Sequence, residues 1–425
     1  MSKTLQAIKG MNDILPDESP AWQTIEDAAR VIFEQYGYRF MRTPVVEFTP
    51  LFVRGIGEAT DVVEKEMYTF EDKLSNESLT LRPEGTAGIV RAAIEHNLTY
   101  GKSERLWTTG AMFRHEKPQK GRYRQFYQLD VEALNFAGPD IDAEHIVMLG
   151  RLWKALGIEK AVRLKINSIG DIGDRTKYRE TLVQYFSRHQ EKLDEDSQRR
   201  LTVNPLRILD SKNPSMQTMI ENAPRMLDLL NEDARAHFET LQTLLTHAGI
   251  AFEIDTRLVR GLDYYNRTVF EWVTDQLGSQ GTVAGGGRYD GLFQQLGGKP
   301  VPACGFAAGI ERLVLLLNEV NPTKPKAPLA YVVSQGVAAK VAAWRLAETL
   351  RDAGHTIVLN ADGGNFKSQL KKADACLARL ALILGDDELA RQEVTVKWLR
   401  EEDRAAHPEQ EKVDLHVLGD WLNKI

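Results

Sequence analysis

The sequence predicts a mixed α/β (α+β) protein: a strand-rich body, a helical insertion within it, and a smaller C-terminal α/β domain. Three observations predict this. Short strands recur through residues 1–170 and return over 249–320, whereas highly charged helical stretches such as KYRETLVQYFSRHQEKL, separated by Pro205, Pro214 and Pro224, fill 171–248. Residues 321–328, NPTKPKAP, hold three prolines and two lysines, the composition of a semi-rigid linker. Over 329–425, strand-like runs at 331–334, 356–359 and 380–384 alternate with helical stretches at 338–352 and 366–378, which argues a largely parallel sheet.

The elements follow in order. Ser19-Pro20 opens a helix, with the hydroxyl as cap and proline in the first turn. Ile25, Ala28, Ala29, Ile32, Phe33 and Tyr36 recur at helical spacing, and Gly37 stops the run. The chain then reads as a strand through Pro44 to Phe48, where proline is tolerated only at an edge or an irregularity. Residues 62–70 and 78–82 read as short strands around a turn at 73–77. A helix over about 86–96, strands within 103–135, a helix over 140–156 and a strand at 161–167 complete the first segment. Strand character then runs from Ala251 to about Val273.

A chain of 425 residues predicts two or three domains, and 43% hydrophobic with 27% charged residues is the balance of a soluble globular protein. The net charge of −6 gives no global hint of nucleic-acid binding, so any such reading must rest on local features. Cys304 and Cys376 lie far apart without ligand-type spacing and read as reduced, buried small residues of a cytoplasmic protein. The N-terminus lacks a signal-peptide core, and no run approaches the roughly 18 apolar residues of a membrane span.

Three segments carry the chemistry. LVRGLDYYNRTVFEW at 258–272 sets Arg260 beside a glycine, an aspartate and two tyrosines. AGGGRYDGL at 284–292 lets the backbone pass close to a ligand. MFRHEKPQKGRYRQFYQLDVE at 112–132 reads as a strand, a mobile cationic loop and a returning strand, with Pro118 and Gly121 marking the turn. On the returning strand Phe126, Gln128 and Glu132 share one face, a poor pattern for a core because unpaired polar groups there are costly. Together they suit a small polar ligand next to a negatively charged reacting group. No HExxH, CxxC, GxSxG or Walker-type loop occurs, so metal-hydrolase, nucleophile-elbow and P-loop readings fail.

These segments resemble the signatures of class II aminoacyl-tRNA synthetases. Phe113-Arg114-His115-Glu116, a loop, and Arg124-Gln125-Phe126 look like the second motif. GYRFMRTPVVEFTPLF, centred on Pro44, looks like the first, and Gly305, Gly309, Glu311 and Arg312 leading into Leu313 look like the third. LVRGLDYYNRT and AGGGRYDGL resemble the peptides that set histidyl-tRNA synthetases apart, and RPEGTAG at 82–88 also matches. The resemblance implies a catalytic domain with an antiparallel sheet and flanking helices, and a C-terminal domain that binds the anticodon. It implies formation of histidyl-adenylate from histidine and ATP, then transfer to tRNA.

The resemblance implies the following residue roles. Arg114 clamps carboxylate and α-phosphate, and Arg260 meets the α-phosphate where other class members use a metal; a planar fork of donors suits both tasks. Glu116 accepts from the adenine amino group, and Phe126 and Arg312 sandwich the ring. Glu84, Gly85, Thr86 and Gln128 stand on the ammonium side of histidine. Glu132, Tyr264, Tyr265 and Tyr289 stand on the imidazole side. Lys117, Gln119 and Lys120 meet the tRNA acceptor end, Lys367 and Lys371 the anticodon region, and the Pro44 segment forms a homodimer interface. Magnesium is expected with ATP, without a resident metal site. Two rivals are a catalytically dead regulatory relative in histidine biosynthesis, which would have lost Arg260 or motif residues, and a synthetase for threonine, proline or glycine, against which LVRGLDYYNRT argues.

Overall fold

The computed structural model describes residues 4–58, 60–209, 211, 213–278, 281–323 and 327–425. The chain forms two compact units that divide between residues 323 and 324, so part of the expected linker, 324–326, lies outside the described residues.

In the first unit the strands are β1 (Arg39–Phe40), β2 (Val46–Phe48), β3 (Tyr68–Glu71), β4 (Ser78–Leu81), β5 (Glu104–Phe113), β6 (Gln125–Leu134), β7 (Arg163–Ser168), β8 (Phe252–Ile254), β9 (Asn266–Val273), β10 (Thr282–Arg288) and β11 (Ala303–Gly309). The α-helices are α1 (Ser19–Gln35), α2 (Thr49–Ile56), α3 (Thr86–Glu95), α4 (Pro139–Leu156), α5 (Ile172–Ser187), α6 (Glu195–Val203), α7 (Gln217–Glu221), α8 (Glu232–His247), α9 (Leu292–Gln295) and α10 (Ile310–Val320). The main sheet has the order β1-β5-β6-β11-β10-β9-β7-β8. Its centre is antiparallel, and only the edge pairs β1–β5 and β7–β8 are parallel. A small sheet, β2-β4-β3, stands apart.

The two-residue strand period gives the main sheet two unlike faces. One presents Trp107, Leu129, Val131, Phe270, Phe306 and Ala308 to Ile25 and Phe33 of α1, Leu149 and Trp153 of α4, and Leu313 and Leu317 of α10. Burying each large side chain contributes about 1.5–3 kcal/mol. The opposite face carries the polar row that made the sequence unlike a core. The insertion has its own core of Tyr178, Leu182, Phe186, Met216 and Ala234. Phe238, Leu241 and Leu245 of α8, however, belong to the core of the sheet.

Several expectations are corrected. Ser19 does not cap α1; Glu18 takes that position without a side-chain bond, and the Ser19 hydroxyl donates to the Pro16 carbonyl. The strand expected through Pro44 is split into β1 and β2, because the Val45 carbonyl accepts from Arg82 instead of a ladder partner. Residues 62–66 form a π-helical turn, with Val62 packed among Phe52 and Ile56, so the strand starts only at Tyr68. The strand expected from Ala251 to Val273 is interrupted between Ile254 and Asn266. There the backbone bonds elsewhere: Asn167 donates to the Leu258 carbonyl, and Arg175 to those of Asp263 and Tyr265.

The second unit contains β12 (Ala330–Ser334), α11 (Val337–Asp352), β13 (Ile357–Leu359), α12 (Phe366–Ala375), β14 (Leu380–Leu384), β15 (Glu393–Trp398) and β16 (Gln410–Asp414). Its sheet order is β13-β12-β14-β15-β16. It is mixed, not largely parallel: the helical crossovers α11 and α12 give parallel pairs, whereas β14–β15 and β15–β16 are antiparallel. Both cysteines are free; Cys304 is buried as expected, but Cys376 is only half-buried.

Candidate active site

The register of the main sheet builds the floor. One row runs Thr108, Asp130, Ala307, Gly285 and Glu271 across β5, β6, β11, β10 and β9. A second runs Leu106, Glu132, Gly305, Gly287 and Val269, and a third runs Gly110, Gln128 and Gly309. Paired residues share a face, so all of these point the same way. Glycines open gaps in these rows, and long polar side chains lie over the gaps. A Cβ on Gly285 would stand 2.7 Å from Nη1 of Arg260. One on Gly305 would collide with the Glu132 carboxylate, and one on Gly110 with the Arg82 guanidinium.

Above this floor lies a cavity of about 480 Å³ lined by Arg114, Arg122, Arg260 and Arg312, with Glu116, Phe126, Gln128, Glu271, Thr282 and Glu311. Arg114 follows β5; its Nε donates to the Pro83 carbonyl (3.0 Å), and its guanidinium carbon sits 5.4 Å from the Phe126 ring centroid. Burial lowers its pKa, Glu66 and Glu84 offset this in part, and nearby Arg260 lowers it further. Arg260 reaches in from the loop before β9 and is ion-paired with Glu271. Burial opposes its charge, but Glu271 and Tyr265 outweigh burial and hold the guanidinium above its ordinary pKa. Arg312 joins two walls, donating to the carbonyls of Gly121 (3.0 Å) and Thr282 (2.6 Å). Glu116 is ion-paired with Arg122 across the β5–β6 loop. Glu311 accepts from the Tyr127 N–H, and burial pushes its carboxyl up to about 7.

Beside the cavity lies a closed acidic and aromatic cluster. Glu132 accepts from the hydroxyls of Thr86 (2.6 Å) and Tyr289. Glu84 accepts from the first N–H groups of α3, Thr86 and Ala87 (both 2.9 Å), and from the Tyr264 hydroxyl (3.4 Å). The rings of Tyr264 and Tyr265 lie 4.7 Å apart, and those of Tyr264 and Tyr289 5.6 Å apart. Burial pushes both Glu84 and Glu132 upward. Of the histidine ligands expected from the resemblance, Arg114, Gln128 and Arg260 line the cavity. Glu84, Gly85, Thr86, Glu132, Tyr264, Tyr265 and Tyr289 are buried behind it.

Lys117, Gln119 and Lys120 are exposed on the β5–β6 loop. That loop is also held: Gln119 and Arg122 bridge each other, and the Gly10 carbonyl accepts from the Arg124 N–H. Lys367 and Lys371 are exposed on α12. Pro44 is exposed among Phe40, Val45, Val46 and Phe48. Sequence reasoning missed Glu271, Arg122 and Asp130. Glu271 stood within the quoted LVRGLDYYNRTVFEW segment, but only the ladder register shows that it faces Arg260. Arg288, in the glycine-run peptide, points to the other face and pairs with Asp142 (2.6 Å), which also binds His237 (2.8 Å).

Cations gathered over a flat floor suit a reaction that builds negative charge on phosphate. The antiparallel sheet beneath them is the scaffold of an aminoacyl-tRNA synthetase. Residues 10–313 match the family described as Histidyl-tRNA synthetase, and residues 329–425 match the family described as Anticodon binding domain. The histidine–tRNA ligase of Thiobacillus denitrificans is 59% identical over 425 residues, 100% of both chains, and that of Nitrosomonas europaea is 59% identical over 426 residues, 100% of both. The apo histidyl-tRNA synthetase of S. aureus superposes with a TM-score of 0.80 at 35% identity, over 99% of this chain and 100% of that one. The chain belongs to the histidyl-tRNA synthetase family. It is a ligase that charges tRNA with histidine in protein synthesis.

Proposed function

We propose that Arg114 and Arg260 are the catalytic residues of histidine activation. The observation that carries this is Arg260 laid over Gly285, paired with Glu271 and close enough to Arg114 to lower its pKa. The histidine carboxylate attacks the α-phosphorus and pyrophosphate leaves. Both reactants are anionic, so the rate gain comes from positioning and from fixed cations at the oxygens where charge develops. Glu116 and the Phe126–Arg312 pair orient the adenine. Glu84, Gly85, Thr86 and Gln128 take the ammonium, and Glu132 with Tyr264, Tyr265 and Tyr289 takes the imidazole. A buried carboxylate placed to accept from the ring N–H rejects other amino acids without editing.

Among the described residues no cluster of three His, Cys, Asp or Glu side chains could hold a metal. Of the three carboxylates lining the cavity, Glu271 and Glu116 are paired with arginines, and Glu311 accepts from the Tyr127 N–H. Magnesium would accompany ATP and neutralise the β- and γ-phosphates.

Lys117, Gln119 and Lys120 contact the acceptor end of tRNA, and Lys367 and Lys371 the anticodon region. The segment around Pro44 forms a homodimer interface, for which Phe40 (44% exposed) and Phe48 (53% exposed) supply an apolar surface. A fully active monomer at working concentration would end that assignment. We take 1–170 and 249–320 as the catalytic domain, 171–248 as the insertion and 329–425 as the anticodon-binding domain. The protein acts in the cytoplasm; no helix of the described residues is long and apolar enough to cross a membrane. Pyrophosphate exchange with a panel of amino acids tests the site reading: exchange with histidine alone supports it, and exchange with threonine, proline or glycine sinks it.

A further inference from the structure

Asp130 has no place in the mechanism above, yet it stands at the centre of the floor. It shares one face of β6 with Gln128 and Glu132, between Thr108 of β5 and Ala307 of β11. It is 1% exposed, and among the described residues neither carboxylate oxygen has a hydrogen-bond partner. Its neighbour Gln128, which lines the cavity, has an unpartnered Oε1. A Cβ on Gly85 would stand 2.7 Å from the Asp130 carboxyl carbon, so Asp130 lies directly beneath the backbone between Glu84 and Thr86. Three buried acceptor atoms are thus left open at one place, where buried polar atoms are ordinarily paired. A primary ammonium carries three donors.

We infer that Asp130 is a further acceptor for the α-ammonium of histidine, completing with Gln128 and Glu84 a three-sided seat beneath the start of α3. The assignment rests on the reading of this site as the histidine-activating one. It gives the ammonium a charged partner that the neutral Gln128 cannot supply, beside Glu84, whose two oxygens also accept from the N–H groups of α3. The charged groups around Asp130 are Glu84 before α3, Arg82 after β4, Arg114 after β5 and Glu132 on its own strand. The strand neighbours Thr108 and Ala307 are neutral. Burial, with Glu84 adding to it and Arg82 and Arg114 opposing, pushes the Asp130 carboxyl up to about 8.

Two measurements test this. In pyrophosphate exchange Asp130→Asn should raise the histidine KM about ten- to a hundredfold, the range for losing a hydrogen bond to a charged group, with ATP KM and kcat changed far less. Inhibition by histidinol, which keeps the ammonium, should weaken equally. Inhibition by imidazolepropionate, which lacks it, should not change. An equal loss for both inhibitors means that Asp130 only supports the fold of the pocket and overturns the proposal. So does an unchanged histidine KM. If the unaltered protein shows no histidine-dependent exchange, the reading of the site itself fails; if it does and Asp130→Asn matches it, only the role of Asp130 fails.

Discussion

Gly285 and Arg260 share one space: a Cβ on the glycine would stand 2.7 Å from Nη1 and 3.0 Å from Cζ of the arginine. The contact is with the end of a flexible side chain, not with backbone. Gly285→Ala should therefore fold normally and displace the guanidinium. Loss of one preorganised donor lowers kcat by roughly 10²–10³. Histidine-dependent exchange together with a melting curve measures both. A variant with unchanged kcat would mean that Arg260 need not lie against the floor.

Arg260→Lys separates charge from shape. Lysine keeps the cation but loses the planar fork. If Arg260 stabilises charge developing on the α-phosphate, kcat for adenylation falls by roughly 10²–10³, while the histidine KM moves far less. A near-normal kcat with a large rise in KM would assign Arg260 to ground-state binding of the substrate carboxylate.

Gln119→Ala tests the β5–β6 loop. Gln119 is exposed, and its bridge to Arg122 is made by backbone atoms, so the substitution leaves the loop closed. Aminoacylation of tRNA should fall while pyrophosphate exchange is spared. Equal loss of both would place the loop's action on ATP.

Asp142→Asn tests the buried pair behind the floor. Asp142 and Arg288 are both fully buried, and removing one charge of such a pair costs about 3–5 kcal/mol. Burial works to raise the pKa of Asp142, but Arg288 and His237 outweigh it, so the folded value lies below the ordinary one. Its stabilisation is therefore present above the ordinary aspartate pKa of about 3.9 and is lost as pH falls below it. Denaturation midpoints from pH 7 down to pH 3 should fall less in the variant than in the unaltered chain.

Most of the residues that line the cavity were legible because motifs hold them in short contiguous strings. Arg114, Glu116 and Phe126 lie within one hairpin, and the alternation of Phe126, Gln128 and Glu132 already marked a face unlike a core. Glu271 and Asp130 were not legible as site residues. Their roles come from the row that joins five strands, and no single strand reveals which position of another stands opposite. Period alone also overran the strand from Ala251 to Val273, because the carbonyls of Leu258, Asp263 and Tyr265 find partners in Asn167 and Arg175, far away in sequence. The C-terminal sheet was read as largely parallel because the alternation stopped being informative after Leu384, where β15 and β16 return without long helical crossovers.

The helix α8 belongs to two cores at once. Ala234 near its start packs in the insertion, Phe238, Leu241 and Leu245 pack under the main sheet, and His237 between them meets Asp142. Transplanting residues 171–248 between relatives as a block would therefore carry away part of the floor's foundation. A graft that keeps the host's own α8 and joins ahead of Asn231, its N-cap, would exchange the outer helices and leave that foundation in place.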